Sequence, residues 1–313
     1  MALDIQAAYD LVWKAGLLEK LVAKGVSGTL ILWIQNFLSG RRNILEIGTS
    51  RVEVASESAV PQGSLLSPTF FLIYIDDLLH RLARLGQVRF QAFADDLIMW
   101  VTGNFRMGDV DPGLKRALQL AEEWADQWRL CFSPQKCECI CFCAANVRIQ
   151  RMSDARLYGE ALPHVHSLRY LGVWFDEHLT WDWHIREVVA RARGRLWELQ
   201  RCVRTEWCVH PPWFLRMVRG AILPALFYGA PCWASVLCSS GRIAQLDGAL
   251  ALAGRLAFGL ERTTSGEACK ALAGLLSARQ YIMQSLIRYL WRQHRSELQT
   301  ASLPQVPEHY VTP

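Results

Sequence analysis

The amino-acid sequence predicts an α+β fold in two parts, with strands and helices mixed over residues 1–175 and helices alone over residues 176–313. Short apolar runs of strand length recur in the first part, for example Ala2–Ile5, Val88–Phe93 and Leu97–Val101. Four segments with helical periodicity follow Asp176. A chain of 313 residues, 51% of them hydrophobic, is long enough for two domains with a sizeable core.

Apolar spacing predicts each element of the first part. Ala2–Ile5 reads as a short buried strand that ends near a carboxylate. Ser67 and Pro68 fit the N-cap and first position of a helix that runs to about residue 85. The other predicted elements are helices at 14–24, 27–38 and 111–130, a hairpin of 44–47 with 52–54, and strands at 88–93, 97–101, 136–142 and 168–175.

In the second part, helical periodicity of the apolar residues predicts helices at 180–204, 212–227, 242–258 and 275–295. An uncharged stretch at 220–237 approaches the length of a membrane span, but Pro224 and Pro231 interrupt it, so no membrane association is expected.

Composition narrows the class of protein. The net charge of +5 favours an anionic partner only mildly. Ten cysteines without a charged-then-apolar leader at Met1 indicate reduced thiols in an intracellular protein. Four of these cysteines, at 137, 139, 141 and 143, alternate along a predicted strand, and buried thiols are favoured there over zinc ligands.

Two acidic motifs carry the chemistry. The first is Asp4-Ile-Gln-Ala-Ala-Tyr-Asp10 and the second is Phe93-Ala-Asp-Asp96, with the loop Pro61-Gln-Gly-Ser64 between them. Adjacent acids at a tight turn between buried strands repel each other unless a cation lies beside them. Taken singly, each motif also fits a surface aspartate or a polar hairpin tip, and the glycine loop alone fits any turn.

A second acid pair, in Tyr74-Ile-Asp-Asp77, resembles Phe93-Ala-Asp-Asp96 but lies within a predicted helix. No turn residue follows Asp77, so Asp76 and Asp77 are predicted to form a solvated helix face.

In this order, the motifs resemble those of reverse transcriptases of non-LTR (LINE-type) retrotransposons. Asp4–Asp10 with Trp13–Leu21 is similar to the first palm motif, and the segment from Pro61 to Pro68 to the second. Phe93-Ala-Asp-Asp96 matches the catalytic turn and Trp124–Lys136 the fourth motif. The segment Leu171-Gly-Val173, followed by Leu179-Thr-Trp181 and His184, resembles the primer grip and the thumb entry.

The resemblance implies a polymerase palm, a ferredoxin-like antiparallel sheet with helices, followed by a helical thumb. It implies that Asp4 and Asp95 bind two Mg²⁺ ions, which Mn²⁺ could replace, with Asp96 as a supporting acid. Tyr9 would exclude a ribose 2′-hydroxyl, Gln62 and Gly63 would shape the nucleotide pocket, and Lys136 would protonate pyrophosphate. Leu171 and Gly172 would contact nucleic acid.

The implied partners are an RNA template, a DNA primer and deoxynucleoside triphosphates. The family acts in the nucleus, although no targeting signal is visible, and the oligomeric state is not predicted. Because three residues precede Asp4, we expect a chain truncated before its fingers region. The alternative function is an inactive remnant that at most binds nucleic acid.

The helix predicted at 180–204 has an apolar face and a basic face. The apolar face consists of Val188, Val189, Ala192, Leu196, Leu199 and Val203. The basic face consists of Arg186, Arg193 and Arg204, with Arg201 nearby. Alone it reads as a solvated surface, whereas in a thumb it would contact the template–primer backbone.

Overall fold

The computed structural model describes residues 1–56, 60–103, 111–143, 155–202 and 210–301. The chain divides into two compact units between Leu168 and Arg169. Small antiparallel sheets and helices make up the first unit, and helices dominate the second, which confirms the α+β class.

The first unit contains the predicted helices and the predicted acidic hairpin. Its elements are β1 (Ala2–Asp4), α1 (Lys14–Ala23), α2 (Gly28–Leu38), β2 (Arg41–Ile47), β3 (Ser50–Ser56), α3 (Ser67–Ala83), β4 (Arg89–Phe93), β5 (Asp96–Trp100), α4 (Pro112–Trp128), β6 (Arg156–Leu157) and β7 (Glu160–Ala161).

A three-stranded antiparallel sheet in the order β1-β5-β4 supports the candidate site. The free edge of β1 is bridged by a later segment, with Ala2 opposite Glu138 and Ile5 opposite Phe132. These bridges replace part of the strand predicted at 136–142, of which only Glu138 and Cys139 make isolated ladder contacts. β1 is therefore held on both sides.

The core of the first unit lies between this sheet and helices α1, α3 and α4. Tyr74, Phe71 and Trp124 are fully buried in it. The thiols of Cys137 and Cys139 join it as predicted, whereas Cys141 and Cys143 are only half-buried. Side chains alternate between the two faces of a strand, so Leu97 and Met99 of β5 are buried on the same face as Leu3 of β1 and Ile5, which follows it.

Ser67 corrects one predicted detail of α3. It is the first helical residue and not the N-cap, and its hydroxyl donates a hydrogen bond to the carbonyl of Pro61 at 2.5 Å. The hydroxyl therefore ties the start of α3 to the glycine loop instead of capping the helix.

The remaining elements are β8 (Ser167–Tyr170), β9 (Val173–Asp176), α5 (Asp182–Cys202), α6 (Pro211–Met217), a π-helix (Val218–Ile222), α7 (Leu223–Leu226), a 3₁₀ helix (Ala234–Cys238), α8 (Ser240–Phe258), α9 (Gly266–Leu272) and α10 (Ala278–Ala301). The core of the second unit includes Ile185, Trp233 and Leu246. No helix in the described ranges combines the length and the apolar character needed to cross a membrane.

The strand predicted at 168–175 was wrong as a single element. It is a hairpin of β8 and β9, with Leu171 and Gly172 as its two turn residues. Both have positive φ, 45° and 82°. Positive φ at both central positions matches the twist of a tight hairpin, and Gly172 adopts it without steric cost.

Candidate active site

The sheet brings the predicted acids of the two motifs together. Asp4, at the end of β1, lies directly opposite Asp96, at the start of β5. Phe93 pairs with Asp96 across the β4–β5 hairpin, so Ala94 and Asp95 form its two-residue turn. Cross-strand partners place their side chains on one face of a sheet, and like charges in such positions repel each other.

The turn itself has an unfavourable backbone conformation. Ala94 has a φ of 53°, in the left-handed region that L-residues with a Cβ rarely adopt. Burial of Leu97 and Met99 on one side of β5 holds the hairpin in register despite this cost. The local strain lies beside the acids, where such strain is typical of functional sites.

The acids affect the ionisation of their neighbours. Desolvation raises the pKa of the Asp96 carboxyl, and the negative charges of Asp95 and Asp4 raise it further. Burial, followed by the charge of Asp95, raises the pKa of the Tyr9 hydroxyl. Excess negative charge at one point favours a cation there.

Lys136 is the basic residue that the structure places beside these acids. Its Nζ lies 3.8 Å from Oδ2 of Asp4, and its side chain is 70% exposed. Backbone hydrogen bonds hold its segment against β1: the Ser133 amide donates to the carbonyl of Asp4 at 3.0 Å, and the amides of Ala2 and Glu138 donate to each other's carbonyls at 2.8 and 3.0 Å. Lys136 is therefore free to reach a ligand near Asp4.

The donor set fits a hard divalent cation. Carboxylate oxygens are the ligands that Mg²⁺ prefers, and Mg²⁺ commonly takes only one or two from protein and the rest from phosphate and water. In the part of the chain that the structure describes, no three His, Cys, Asp or Glu side chains are grouped closely enough to hold a metal ion by themselves. The residues thus fit an ion shared with a phosphate-bearing substrate.

The residues predicted to bind the nucleotide lie within the first motif, as Tyr9 does, or contact it, as Gln62 does. Tyr9 packs on Phe71 with ring centroids 5.0 Å apart, and its carbonyl accepts a hydrogen bond from the Val60 amide at 3.0 Å. The Nε2 of Gln62 lies 3.0 and 3.1 Å from the two carboxylate oxygens of Asp10. Since an ionised carboxylate only accepts hydrogen bonds, Asp10 binds the amide nitrogen of Gln62 and makes no bond with its amide oxygen.

The sequence analysis assigned no role to Asp10. The only sequence signal for it is its place at the end of the first motif.

Gly63, next to Gln62, has a φ of 84° and no atom within 4 Å of the position a Cβ would occupy. The loop therefore needs glycine for its backbone conformation and leaves space beside it.

The second acid pair corrects a prediction. Asp76 and Asp77 were predicted to be solvated, but Asp77 lies 2.6 Å from Nζ of Lys20, which is 7% exposed. The same carboxylate accepts a hydrogen bond from Nε1 of Trp124 at 2.8 Å. Asp76 pairs with Lys24 at 2.5 Å. These acids anchor α1 on α3, because their lysines come from the facing helix.

An aromatic cage surrounds the buried lysine. Nζ of Lys20 lies 3.6 Å from the ring centroid of Trp128, 4.5 Å from that of Tyr74 and 5.3 Å from that of Trp124. Desolvation lowers the pKa of Lys20 to about 8, although the hydrogen bond to Asp77 opposes the shift. Sequence periodicity did not reveal this pairing, since it lies between helices.

The predicted nucleic-acid contacts lie in the second unit. Leu171 and Gly172 form the β8–β9 turn, and a Cβ on Gly172 would meet the ring of Tyr228 at 3.2 Å. On α5, Arg186, Arg193 and Arg201 are exposed, and Nη2 of Arg193 lies near Gly248 of α8, 3.3 Å from where a Cβ would be. Arg204 lies outside the described residues.

The segment that resembles the thumb entry forms a network of hydrogen bonds. The carboxylate of Asp176 accepts from the amides of Thr180 at 2.8 Å and Trp181 at 2.6 Å. Nδ1 of His184 accepts from the Trp174 amide at 3.3 Å, and its ring lies 5.4 Å from that of Trp233. These contacts give His184 a structural role in joining β9 to α5.

Comparison with known proteins adds independent evidence. Residues 1–175 match the family described as reverse transcriptase (RNA-dependent DNA polymerase). A putative 115 kDa protein in the type-1 retrotransposable element R1DM of Drosophila melanogaster is 31% identical over 274 residues, which cover 87% of this chain and 26% of that protein. The RNA-directed DNA polymerase from mobile element jockey of Drosophila funebris is 30% identical over 232 residues, 72% of this chain and 25% of that protein.

A further relative comes from Nasonia vitripennis. The retrovirus-related Pol polyprotein from its type-1 retrotransposable element R1 is 28% identical over 219 residues, 69% of this chain and 64% of that protein. The chain spans about a quarter of the length of the two Drosophila relatives. With a family match over more than half of its residues, the chain belongs to the reverse transcriptase family, as a domain of the non-LTR, LINE-type kind.

Proposed function

We propose that this chain is an RNA-directed DNA polymerase that extends a DNA primer on an RNA template. The observation that carries the proposal is the Asp4–Asp96 cross-strand pair with Asp95 at the adjoining turn. In this proposal the first unit is the polymerase palm and the helical second unit is the thumb. Action in the nucleus remains a prediction.

The acids would hold Mg²⁺, or Mn²⁺ in its place, through Asp4 and Asp95, with Asp96 in support. When bound, the metal would activate the primer 3′-hydroxyl and neutralise charge on the triphosphate. The chain's own contribution is to keep three carboxylates at one sheet end, where their mutual repulsion is relieved by cation binding. The β1–β5 pairing holds Asp4 opposite Asp96 before substrate arrives.

Neighbouring residues would position the deoxynucleotide. Tyr9 is fixed against Phe71 and would occupy the space that a ribose 2′-hydroxyl needs. Gln62, oriented by Asp10, would present its amide oxygen to a hydrogen-bond donor of the nucleotide. Gly63 would let the loop backbone approach the ligand. Lys136, near Asp4 and exposed, would donate a proton to pyrophosphate.

Primer extension tests the proposal directly. The purified chain is given a DNA primer annealed to an RNA template, Mg²⁺ and deoxynucleoside triphosphates. We expect extension by the native chain and a loss of at least about 100-fold in Asp95→Asn, because a neutral amide cannot replace a metal-binding carboxylate. Asp76→Asn is the matched control: it changes an acid of the look-alike pair and should leave extension within about twofold, since its ion pair is exposed.

Two results would contradict the proposal. Equal primer extension by the native chain and by Asp95→Asn would show that the Asp95 carboxylate is not needed for the reaction. Retained binding of the RNA–DNA hybrid without any extension, under Mg²⁺ and under Mn²⁺, would favour a protein that only binds nucleic acid.

A further inference from the structure

Helix α10 has a second apolar surface, on the side that faces away from the core of its unit. On the core side, Ala278 and Ile282 are fully buried. The side chains on the solvent side share one helix face because of their spacing, and all of them are exposed. These residues, the α10 stripe, are Met283, Ile287, Leu290 and Trp291. Trp291 is the most exposed of them, at 60%.

The second half of α10 is solvated on every side. Each residue from Ile287 to Arg295 is exposed, so the core of the unit does not cover the apolar side chains in this range. Most of the stability of a helix in a protein comes from burial of an apolar face. Exposed apolar side chains that cluster on one face mark interaction surfaces. A partner seated on the α10 stripe would therefore bury these side chains and stabilise the helix.

The charges along α10 have one sign. Residues 268–296 include no aspartate or glutamate. Arg288 and Arg295 lie beside Trp291 at the border of the stripe, because residues three or four positions apart are neighbours on a helix. The Arg295 guanidinium carbon lies 5.5 Å from the Trp291 ring centroid. Both arginines are exposed, so positive charge is available next to the apolar surface.

This charge distinguishes between the possible protein partners. A second copy of the chain would bring only arginines to the α10 stripe, and like charges oppose self-association. A helix whose apolar side chains are bordered by acids would bury the stripe and gain ion pairs at its edge. The stripe spans about 12 Å from Met283 to Trp291, at 1.5 Å per residue. This length accommodates somewhat more than two turns of a partner helix.

Two other kinds of partner match the stripe less completely. Nucleic acid offers phosphates to the arginines, but bases stack on aromatic rings, and the stripe residues other than Trp291 are aliphatic. A helix on an anionic membrane carries basic residues along its polar face. At the border of the stripe next to Met283, the arginine is Arg279, which already donates to the carbonyl of Leu237 at 3.1 Å. Available charge therefore lies at one border only.

We propose that the α10 stripe docks an acidic amphipathic helix of another protein. The apolar side chains of that helix cover the stripe, and its carboxylates pair with Arg288 and Arg295. Arginine suits this role because its planar fork donates two hydrogen bonds to one carboxylate. Trp291 is the anchor, since a large aromatic side chain that becomes buried contributes most to an interface. The interaction is independent of the polymerase reaction.

A pair of synthetic peptides tests the charge preference. Each labelled peptide has about three heptads with leucine at positions a and d, and carries glutamate at e and g in one peptide and lysine in the other. Fluorescence anisotropy follows each peptide as the full chain is titrated. We expect the glutamate peptide to bind with a Kd on the order of 10 µM that rises with salt. The lysine peptide should bind at least about tenfold more weakly.

Single tryptophan variants test the anchor. Trp291→Ser should weaken binding of the glutamate peptide at least about tenfold, because the largest apolar contact disappears. Trp213→Ser is the matched control, since Trp213 of α6 is 59% exposed. Binding by this control should stay within about twofold of the native value.

Paired arginine variants test the border of the stripe. Arg288→Gln/Arg295→Gln should weaken binding of the glutamate peptide about fivefold and make it less dependent on salt. The matched control, Arg262→Gln/Arg292→Gln, removes the same charge at exposed positions that do not border the stripe. Its effect on both quantities should be smaller.

Weaker peptide binding in the Trp291 and border variants alone, with unchanged thermal unfolding, supports the docking site. Equal binding of the two peptides, binding of neither, or equal weakening by the control variants overturns it. Self-association of the native chain in sedimentation that Trp291→Ser abolishes overturns it in favour of a second copy. A loss of affinity in Trp291→Ser for phosphatidylserine vesicles or for a labelled RNA–DNA hybrid, instead of for the peptide, overturns it in favour of a membrane or of nucleic acid.

Discussion

Lowering the pH from 8 to 5 is expected to weaken the second unit through His184. The side chain is 1% exposed, and its Nδ1 accepts a hydrogen bond from the Trp174 amide, so the neutral ring is the form that fits. Desolvation, with a smaller effect from the charge of Arg191, lowers the pKa of His184 to about 4. In the unfolded chain the pKa of histidine is about 6.5.

The sign and size of the effect follow from these two pKa values. Between pH 6.5 and 4 the unfolded chain binds a proton that the folded chain does not, so the free energy of unfolding decreases as the pH falls through this window. The loss is about 2 kcal/mol at pH 5 and approaches about 3 kcal/mol at pH 4. Above pH 6.5 His184 contributes no further change.

Urea unfolding at pH 8, 6 and 5, followed by tryptophan fluorescence, measures this dependence. His184→Gln keeps an acceptor for the Trp174 amide but cannot titrate, so its decline between pH 8 and 5 should be about 2 kcal/mol smaller than that of the native chain. His294→Gln, at an exposed position of α10, is the control and should behave like the native chain. An identical pH dependence in His184→Gln and the native chain would refute the reasoning.

Four substitutions test packing, ion pairing and strain by the free energy of unfolding in urea. Gly254→Ala should cost about 2–3 kcal/mol, because its Cβ would lie 2.2 Å from the carbonyl oxygen of Cys269; a cost below about 0.5 kcal/mol would contradict the close approach of α8 and α9. Lys20→Met should cost about 2 kcal/mol, since it removes the buried partner 2.6 Å from Asp77 and leaves that carboxylate only Arg81, at 3.9 Å, as an ion-pair partner. Lys24→Met, which removes an exposed pair, should cost less than about 1 kcal/mol, and equal costs would argue against the cage. Ala94→Gly should raise the free energy of unfolding by about 0.5–1 kcal/mol by relieving a positive φ, and a net loss would argue against strain at the turn.

Most of the confirmed predictions rest on patterns within a single segment of the sequence. The acidic hairpin was predictable because apolar runs on both sides of Asp95 specify two strands, but the turn was predicted at Asp95 and Asp96, whereas it lies at Ala94 and Asp95 and Asp96 begins β5. Helices α1, α3 and α4 followed from apolar periodicity and, at α4, from Asp111, whose side chain accepts hydrogen bonds from Gly113 and Leu114.

Features that depend on pairs of distant residues could not be predicted from the sequence. The ion pair of Lys20 and Asp77 joins two helices, and no periodicity within either helix indicates it. A mainly apolar run at 168–175, in which Arg169 is the one charged residue, concealed the turn at Leu171 and Gly172, because the positive φ of these two residues and not a polar segment separates the strands. A helical wheel shows that Arg193 lies opposite the core of α5, but not that its Nη2 lies near Gly248 of α8.

The central claim is that Asp4 and Asp95 together form one divalent metal site. Substituting Fe²⁺ for Mg²⁺ in the presence of template–primer and a deoxynucleoside triphosphate, followed by peroxide and peptide mapping, locates the ion by the backbone cuts it produces. We expect cuts near residue 4 and near residues 95–96 in the native chain, and loss of both sets in Asp4→Asn and in Asp95→Asn. Cuts at only one of the two segments, or cuts that persist in either variant, would contradict a shared site.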